Sequence, residues 1–360
     1  MVDPEYALTW PRDLFESEVK SLRHLPDEDV RGAVALLLEE AYRDPKVAER
    51  FFEDTDGRHS PWDVGPSVRT WLLQLLQDND RLRPYVQRKY YAERNKMLGD
   101  HPQRPGAPLS SAFVHLIDDL QGQGYFPRQM PRECNTNPTD YGRVTQSIRD
   151  DTLLTSVTWP IREPEASLLG DHIVYTLMEF FYDHTQRPRT YLIHAGCGRH
   201  FDGHNRQAGR AVYQWRVNDL LERYGVPLRL AHDGVEHGRL VQHFGSGLDA
   251  LADAHAADDV EAPNATAEAV RLYRERDASL HQKRSALTLL AGELEPRRQT
   301  IKTTVMKKDE AALFELANSY AIRHHRADQH EDYGVEYLDW IFWNFLATVD
   351  LMSRLERRQA

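Results

Sequence analysis

Apolar residues recur three and four positions apart over most of this chain, so helices are expected to dominate. Within residues 10–55, Val34, Ala35, Leu37, Leu38, Ala41 and Tyr42 form one helical stripe flanked by charge. Residues 66–97 continue in the same way with Val68, Trp71, Leu72, Leu75 and Leu76, while the charged run from Arg83 to Lys96 reads as solvated surface. Three prolines in 101–108 exclude a helix interior and predict a loop. A helix is predicted over 110–122, with Phe113, Leu116, Ile117 and Leu120 on one face, ended by Gly122, Gly124 and Pro127. Residues 127–165 are rich in Pro, Asn, Thr and Asp and predict a loop or linker, with a domain boundary near 150–165.

The period changes in the middle of the chain. A helix over 171–184 precedes a candidate strand, Thr190 to Ala195. A helix over 208–224, with Val212, Trp215, Val217, Leu220 and Leu221 as its core face, leads to two short strands at 227–232 and 238–243 around the turn signal Asp233-Gly234. Residues 246–268 lack a strong period and suggest a second boundary. Helices are then expected at 266–295, 309–324 and 334–357. The last is apolar on nearly all sides between 337 and 349 and should be buried on several faces, in a core or against a second copy of the chain. The expected fold class is mostly α (α+β overall): an N-terminal helical domain over 1–155, a small α+β domain over 165–247 and a C-terminal helical bundle over 265–360.

Totals narrow the function classes. The 360 residues carry a formal charge of -11, which argues against a general DNA-packaging role. From Arg271 onward, however, Lys and Arg balance Asp and Glu to within one charge, so local basic clusters could still hold RNA phosphates. No apolar run is long enough for a transmembrane helix and no secretory signal opens the chain; with only Cys134 and Cys197 present, a cytoplasmic location is expected. The glycine patterns of phosphate loops and dinucleotide folds are absent, so no nucleotide cofactor is expected.

One stretch carries most of the chemistry: Asn318-Ser-Tyr-Ala-Ile-Arg323-His324-His325-Arg326-Ala-Asp-Gln-His330. It sets a guanidinium and several imidazoles at the end of one amphipathic helix, before a very apolar one. A fixed cation can hold a phosphate, and an imidazole can move a proton near neutral pH, so the pair suits metal-free phosphodiester cleavage. The plainer alternative is a set of helix-end cations favoured by the helix dipole.

From about residue 266 the chain resembles a HEPN domain, whose hallmark is an Arg, then a polar residue, and a His with four to six residues between it and the Arg. Here those positions are Arg323, His324 and His330. The segments Phe113 to Phe126 and Cys197-Gly-Arg-His-Phe201 carry a second resemblance, to bacterial abortive-infection (phage-defence) proteins. The resemblance implies a homodimeric, metal-independent endoribonuclease in which the 2′-hydroxyl attacks the adjacent phosphate. His330 would act as acid or base, Arg323 would stabilise the phosphorane and His324 would position either partner. Arg326 and Tyr333 are candidate phosphate contacts, and Arg297, Arg298 and Lys302, with Lys307 and Lys308, form the best basic cluster for an RNA backbone. The implied partners are RNA, tRNA among them, a second copy of the chain, and a phage-derived trigger or partner defence protein. The alternative function is a non-catalytic HEPN-like binding and oligomerisation module that regulates a partner effector.

Other constellations compete. His194, Cys197 and His200 offer imidazole and thiolate ligands for zinc, but their spacing matches no known finger. The flanking Gly196, Gly198 and Gly203 favour instead a tight turn with Cys197 packed inside. The same Cys lies near two His residues, as a thiolate nucleophile would require, but adjacency in sequence does not set that geometry. Asp171, Glu179 and Asp183 could share a helix face as a metal-dependent nuclease needs, although such residues more often form a wet face.

Overall fold

The computed structural model describes residues 6–56, 65–86, 91–95, 106–131, 139–256, 264–276, 278–304, 311–315 and 335–359. The chain divides into two compact units, Met1–Tyr224 and Gly225–Ala360. This differs from the three segments expected above. Residues 165–224 join the first unit because their helices pack on the N-terminal ones, and the boundary falls at the turn after Arg223.

In the first unit α1 (Arg12–Leu22), α2 (Asp27–Ala41), α3 (Lys46–Asp56) and α4 (Val68–Gln77) precede the single turn α5 (Tyr91–Arg94). Helix α2 is central. It buries Val30, Ala33 to Leu38 and Ala41, more than one face, and touches α1, α3 and a later strand. Helices α6 (Leu109–Gly122), α7 (Tyr141–Thr152), α8 (Asp171–His184) and α9 (Arg206–Arg223) complete the layer. Side chains that accept a backbone N–H begin several of these: Ser67 for α4, Asp140 for α7 and Asn205 for α9.

Of the residues expected to form a loop or linker, the described stretch 139–165 is instead packed into the unit. Helix α7 buries Val144 and Ile148, and Trp159 is 1% exposed with its ring 4.9 Å from Phe181. Phe126 and Phe180 flank the same Phe181 ring, at 5.2 Å each. A half-polar helix of twelve residues shows only a short apolar stripe, so composition hid it. Thr145 locks the segment: its hydroxyl accepts from the Trp159 N–H at 2.9 Å.

Between α8 and α9 the backbone forms an antiparallel hairpin, β1 (Thr190–His194) with β2 (Gly198–Asp202), paired Thr190 to Asp202 through His194 to Gly198. Its root is tied down by reciprocal Arg187–Asn205 backbone bonds of 2.9 and 2.8 Å and by the fully buried Arg187 guanidinium. That guanidinium donates to Glu18 and Glu40 at 2.9 Å each, while Arg189 donates to both Glu18 oxygens at 3.2 Å. Burial lowers the proton affinity of Arg187, but the carboxylates of Glu40 and Glu18 more than compensate and keep it charged. Gly209 lets α9 approach this root: a Cβ there would lie 2.5 Å from the Arg187 nitrogen.

The second unit begins with β3 (Leu228–Leu230) paired antiparallel to β4 (Leu240–Gln242), joined through the predicted turn, where Gly234 has φ +77°. Helices α10 (Ser246–Ala256), α11 (Ala265–Arg274), α12 (Leu280–Leu294), α13 (Arg298–Thr304) and α14 (Val335–Gln359) come next, with residues 311–315 also helical. Residues 246–256 are thus a packed helix rather than a boundary. Ala252 is its fully buried apolar residue, Leu251 is only partly buried and Leu248 is exposed, so the periodic signal is weak. The long helix expected over 266–295 is broken before Ser279, which with Gln282 makes a capping box. The core joins Leu287, Leu290, Leu338, Ile341, Phe342, Phe345 and Leu346, and Tyr273 stacks on Phe342 with ring centres 3.8 Å apart.

Burial of α14 is narrower than its composition implied. Leu338, Ile341, Phe342, Phe345, Leu346, Val349 and Met352 are buried, but Tyr337, Trp340 and Leu351 are exposed on another stripe. Among the described residues no helix is long and apolar enough to cross a membrane.

Candidate functional site

Arg323, His324, Arg326, His330 and Tyr333 lie outside the described residues, as do Cys134, Lys307, Lys308 and most of the helix expected over 309–324. Helix α14, which begins five residues after His330, is described. Asp339, early in α14, accepts from the Lys283 Nζ on α12 at 3.1 Å and from the Tyr273 hydroxyl on α11. Burial and then the Asp339 hydrogen bond push the Tyr273 hydroxyl far above the usual phenol range, so it remains a donor. Two helices therefore pin the start of α14, a few residues after the motif. Tyr337 and Trp340 flank this anchor and remain half exposed.

The basic cluster is partly spent on internal pairing. Arg297 pairs with Glu356 at 3.1 Å, and Arg298 lies 3.9 Å from Glu295 with its guanidinium 4.4 Å from the Phe314 ring centre. Lys302 is exposed. Exposed pairs of this kind contribute little stability.

The hairpin tip brings His194, Cys197 and His200 together. Antiparallel pairing sets His194 opposite Gly198 and His200 opposite Leu192, so the two imidazoles lie diagonally on one face. Gly196 and Gly198, at φ +98° and +83°, turn the chain so that Cys197 closes over that face. Its Sγ lies 3.2 Å from His200 Nε2 and 3.7 Å from His194 Nδ1, and the ligand atoms all fall within 4.8 Å of one another. Cys197 is half-buried rather than packed in a core, at the tip of a two-stranded sheet. The opposite face of the hairpin carries Phe201 against Gly124, and Arg199 paired with Glu39 at 2.5 Å. Among the described residues this is the metal-sized group of His, Cys, Asp or Glu side chains. Asp171, Glu179 and Asp183 are not drawn together in that way, and Asp183 instead accepts from Arg210 at 3.3 Å.

A concave surface of about 480 Å³ lies against α6, lined by Ser111, His115, Asp118, Tyr141, Arg162 and Glu163 among others. Ser111 Oγ is buried with no hydrogen-bond partner among the described residues, and burial raises the Asp118 carboxyl above its ordinary range. Ser111, His115 and Asp118 share the face through their i, i+4, i+7 spacing. That spacing was present in the sequence, but the Tyr141 and Arg162 wall comes from residues expected to be linker.

Two other histidines are expected to make the first unit acid-sensitive. Burial lowers the proton affinity of His184, held by Gln129 and Asp151, and of His204, whose Nε2 lies 3.1 Å from the Gly124 carbonyl. Their folded-state values fall below the unfolded value of about 6.5. The unfolded chain then takes up protons first, so stability holds above that value and falls as pH drops below it. Urea midpoints of the first unit are expected to fall between neutral and mildly acidic buffer, and His204→Gln should lessen the fall; an equal fall in the variant would exclude His204 as a contributor.

Compared with known protein families, with curated proteins and with solved structures, the chain matches none.

Proposed function

We propose that the second unit is a HEPN-type, metal-independent endoribonuclease acting as a homodimer in phage defence or toxin-like translation shutdown. The observation that carries this is the Arg323-His324 and His330 set placed just before α14. The start of that helix is pinned to α11 and α12 by Asp339, while Tyr337 and Trp340 stay exposed beside the anchor. A rigid helix start is what a catalytic pair needs for alignment. Exposed aromatics suit either a symmetric seam or the stacking of unpaired bases.

In the proposed step the ribose 2′-oxygen bonds to phosphorus as an imidazole takes its proton. The bond to the 5′-oxygen breaks, and that oxygen leaves with a proton given by a second, protonated imidazole of the paired motifs. Arg323 holds the charge on the phosphorane oxygens, and the products are a 2′,3′-cyclic phosphate and a 5′-hydroxyl. The test is incubation of the full chain with tRNA and total RNA in EDTA, followed by end-group analysis. Cyclic-phosphate products support the enzyme. Intact RNA together with a stable oligomer supports the non-catalytic binding module, and a monomer with intact RNA removes both.

A further inference from the structure

We infer that the tip of the β1–β2 hairpin is a Zn²⁺ site whose ligands are His194 Nδ1, the Cys197 thiolate and His200 Nε2, with water in the fourth position. Zinc bonds of about 2.3 Å to sulfur and about 2.0–2.1 Å to nitrogen, set tetrahedrally, place each sulfur about 3.5 Å from each nitrogen. The two sulfur–nitrogen separations here, 3.2 and 3.7 Å, straddle that edge. The two rings stand edge to face with centres 5.1 Å apart and each turns a nitrogen toward the Cys197 sulfur, where the ion would bind.

Three features of the fold make the arrangement a built one. The register puts both imidazoles on the face opposite Phe201 and Arg199, the residues that dock the hairpin on its unit. Gly198, directly across from His194, has no side chain to fill the space between the ligands. The hairpin root is held by reciprocal backbone bonds and the buried Arg187 and Arg189 ion pairs, so the ligands project from a fixed base. One thiolate and two imidazoles form a borderline-soft donor set, which selects zinc over magnesium or calcium. The exposure of His194 gives the ion an entry path and leaves the fourth position to solvent. On binding, the Cys197 S–H proton is released to solvent and the sulfur–zinc bond forms. No redox change occurs.

The test uses metal-stripped full-length protein titrated with Zn²⁺ against a chromophoric chelator, and with Co²⁺ followed by absorption. One equivalent of Zn²⁺ is expected to bind, with a thiolate-to-cobalt charge-transfer band in the Co²⁺ form. Cys197→Ser should abolish the band and weaken Zn²⁺ binding at least about tenfold. His194→Ala, at an exposed position, should weaken binding while circular dichroism stays unchanged. Cys134→Ser and His330→Ala should keep both the band and the affinity, which separates this site from the proposed nuclease motif. Absence of chelator-competitive binding, or a Co²⁺ band that survives Cys197→Ser, overturns the assignment.

Discussion

His330→Ala is expected to slow RNA cleavage by about 10²–10⁴-fold, the range lost when a positioned proton-transfer group is removed. Arg323→Ala should cost about 10²–10³-fold, because it deletes the donor aimed at the phosphorane charge. Both losses should appear in kcat more than in KM, since these groups would act on charge that develops only in the transition state. His330→Gln keeps a polar side chain but cannot cycle a proton, so it should be as slow as His330→Ala. Arg323→Lys should recover only part of the rate, because an ammonium cannot hold two phosphate oxygens in a planar fork. Single-turnover cleavage of tRNA in EDTA measures all four variants. Wild-type rates in both alanine variants would end the nuclease assignment. The expected zinc site is independent of this result, because the proposed reaction routes nothing through a metal.

Arg187→Ala should destabilise the first unit by about 3–5 kcal/mol, the cost of leaving a buried partner charge uncompensated. Glu18, 6% exposed, and Glu40, 13% exposed at its side chain, would each lose the guanidinium that now lies 2.9 Å away. Arg189 would still hold Glu18, so the larger penalty should fall on Glu40, to which the Tyr125 hydroxyl would still donate at 3.1 Å. The double change of Arg187 and Glu40 to Met and Gln should cost less than Arg187→Ala, since it removes charge on both sides of the pair. Because the chain holds two compact units, a single unfolding midpoint would blur the effect. Hydrogen exchange resolved by peptide should show the loss within residues 6–224 and leave 225–359 unchanged. A cost below about 1 kcal/mol would mean that the network behaves as a solvated surface pair.

The same network links stability to the hairpin. Arg187 and Arg189 immediately precede β1, and their partners come from α1 and α2. Loosening them should let the hairpin root breathe while the ligand spacing at the tip, set locally by register and turn, persists.

Much of this molecule is written in local pattern. The periodic stripes at Val34 to Tyr42 and Leu338 to Met352, the turn at Asp233-Gly234 and the strand at Thr190 each need only neighbours in the chain, and each is found in the fold. The motif around Arg323 and His330 is likewise visible as chemistry before any fold is known. What sequence alone did not reveal depends on distant partners or weak stripes. Arg187 meets Glu18 and Glu40 across 169 and 147 residues, so no spacing rule could pair them. Helices α7 and α10 bury few or small side chains, and their Asp, Thr and Ala content reads as loop until a core is present to take Ile148 and Ala252. The His194, Cys197 and His200 group shows the division most clearly. The ligand types were evident, but a hairpin register and two left-handed glycines decide whether they diverge or converge, because each strand residue alternates faces and only cross-strand pairing brings residues six apart within reach of one ion.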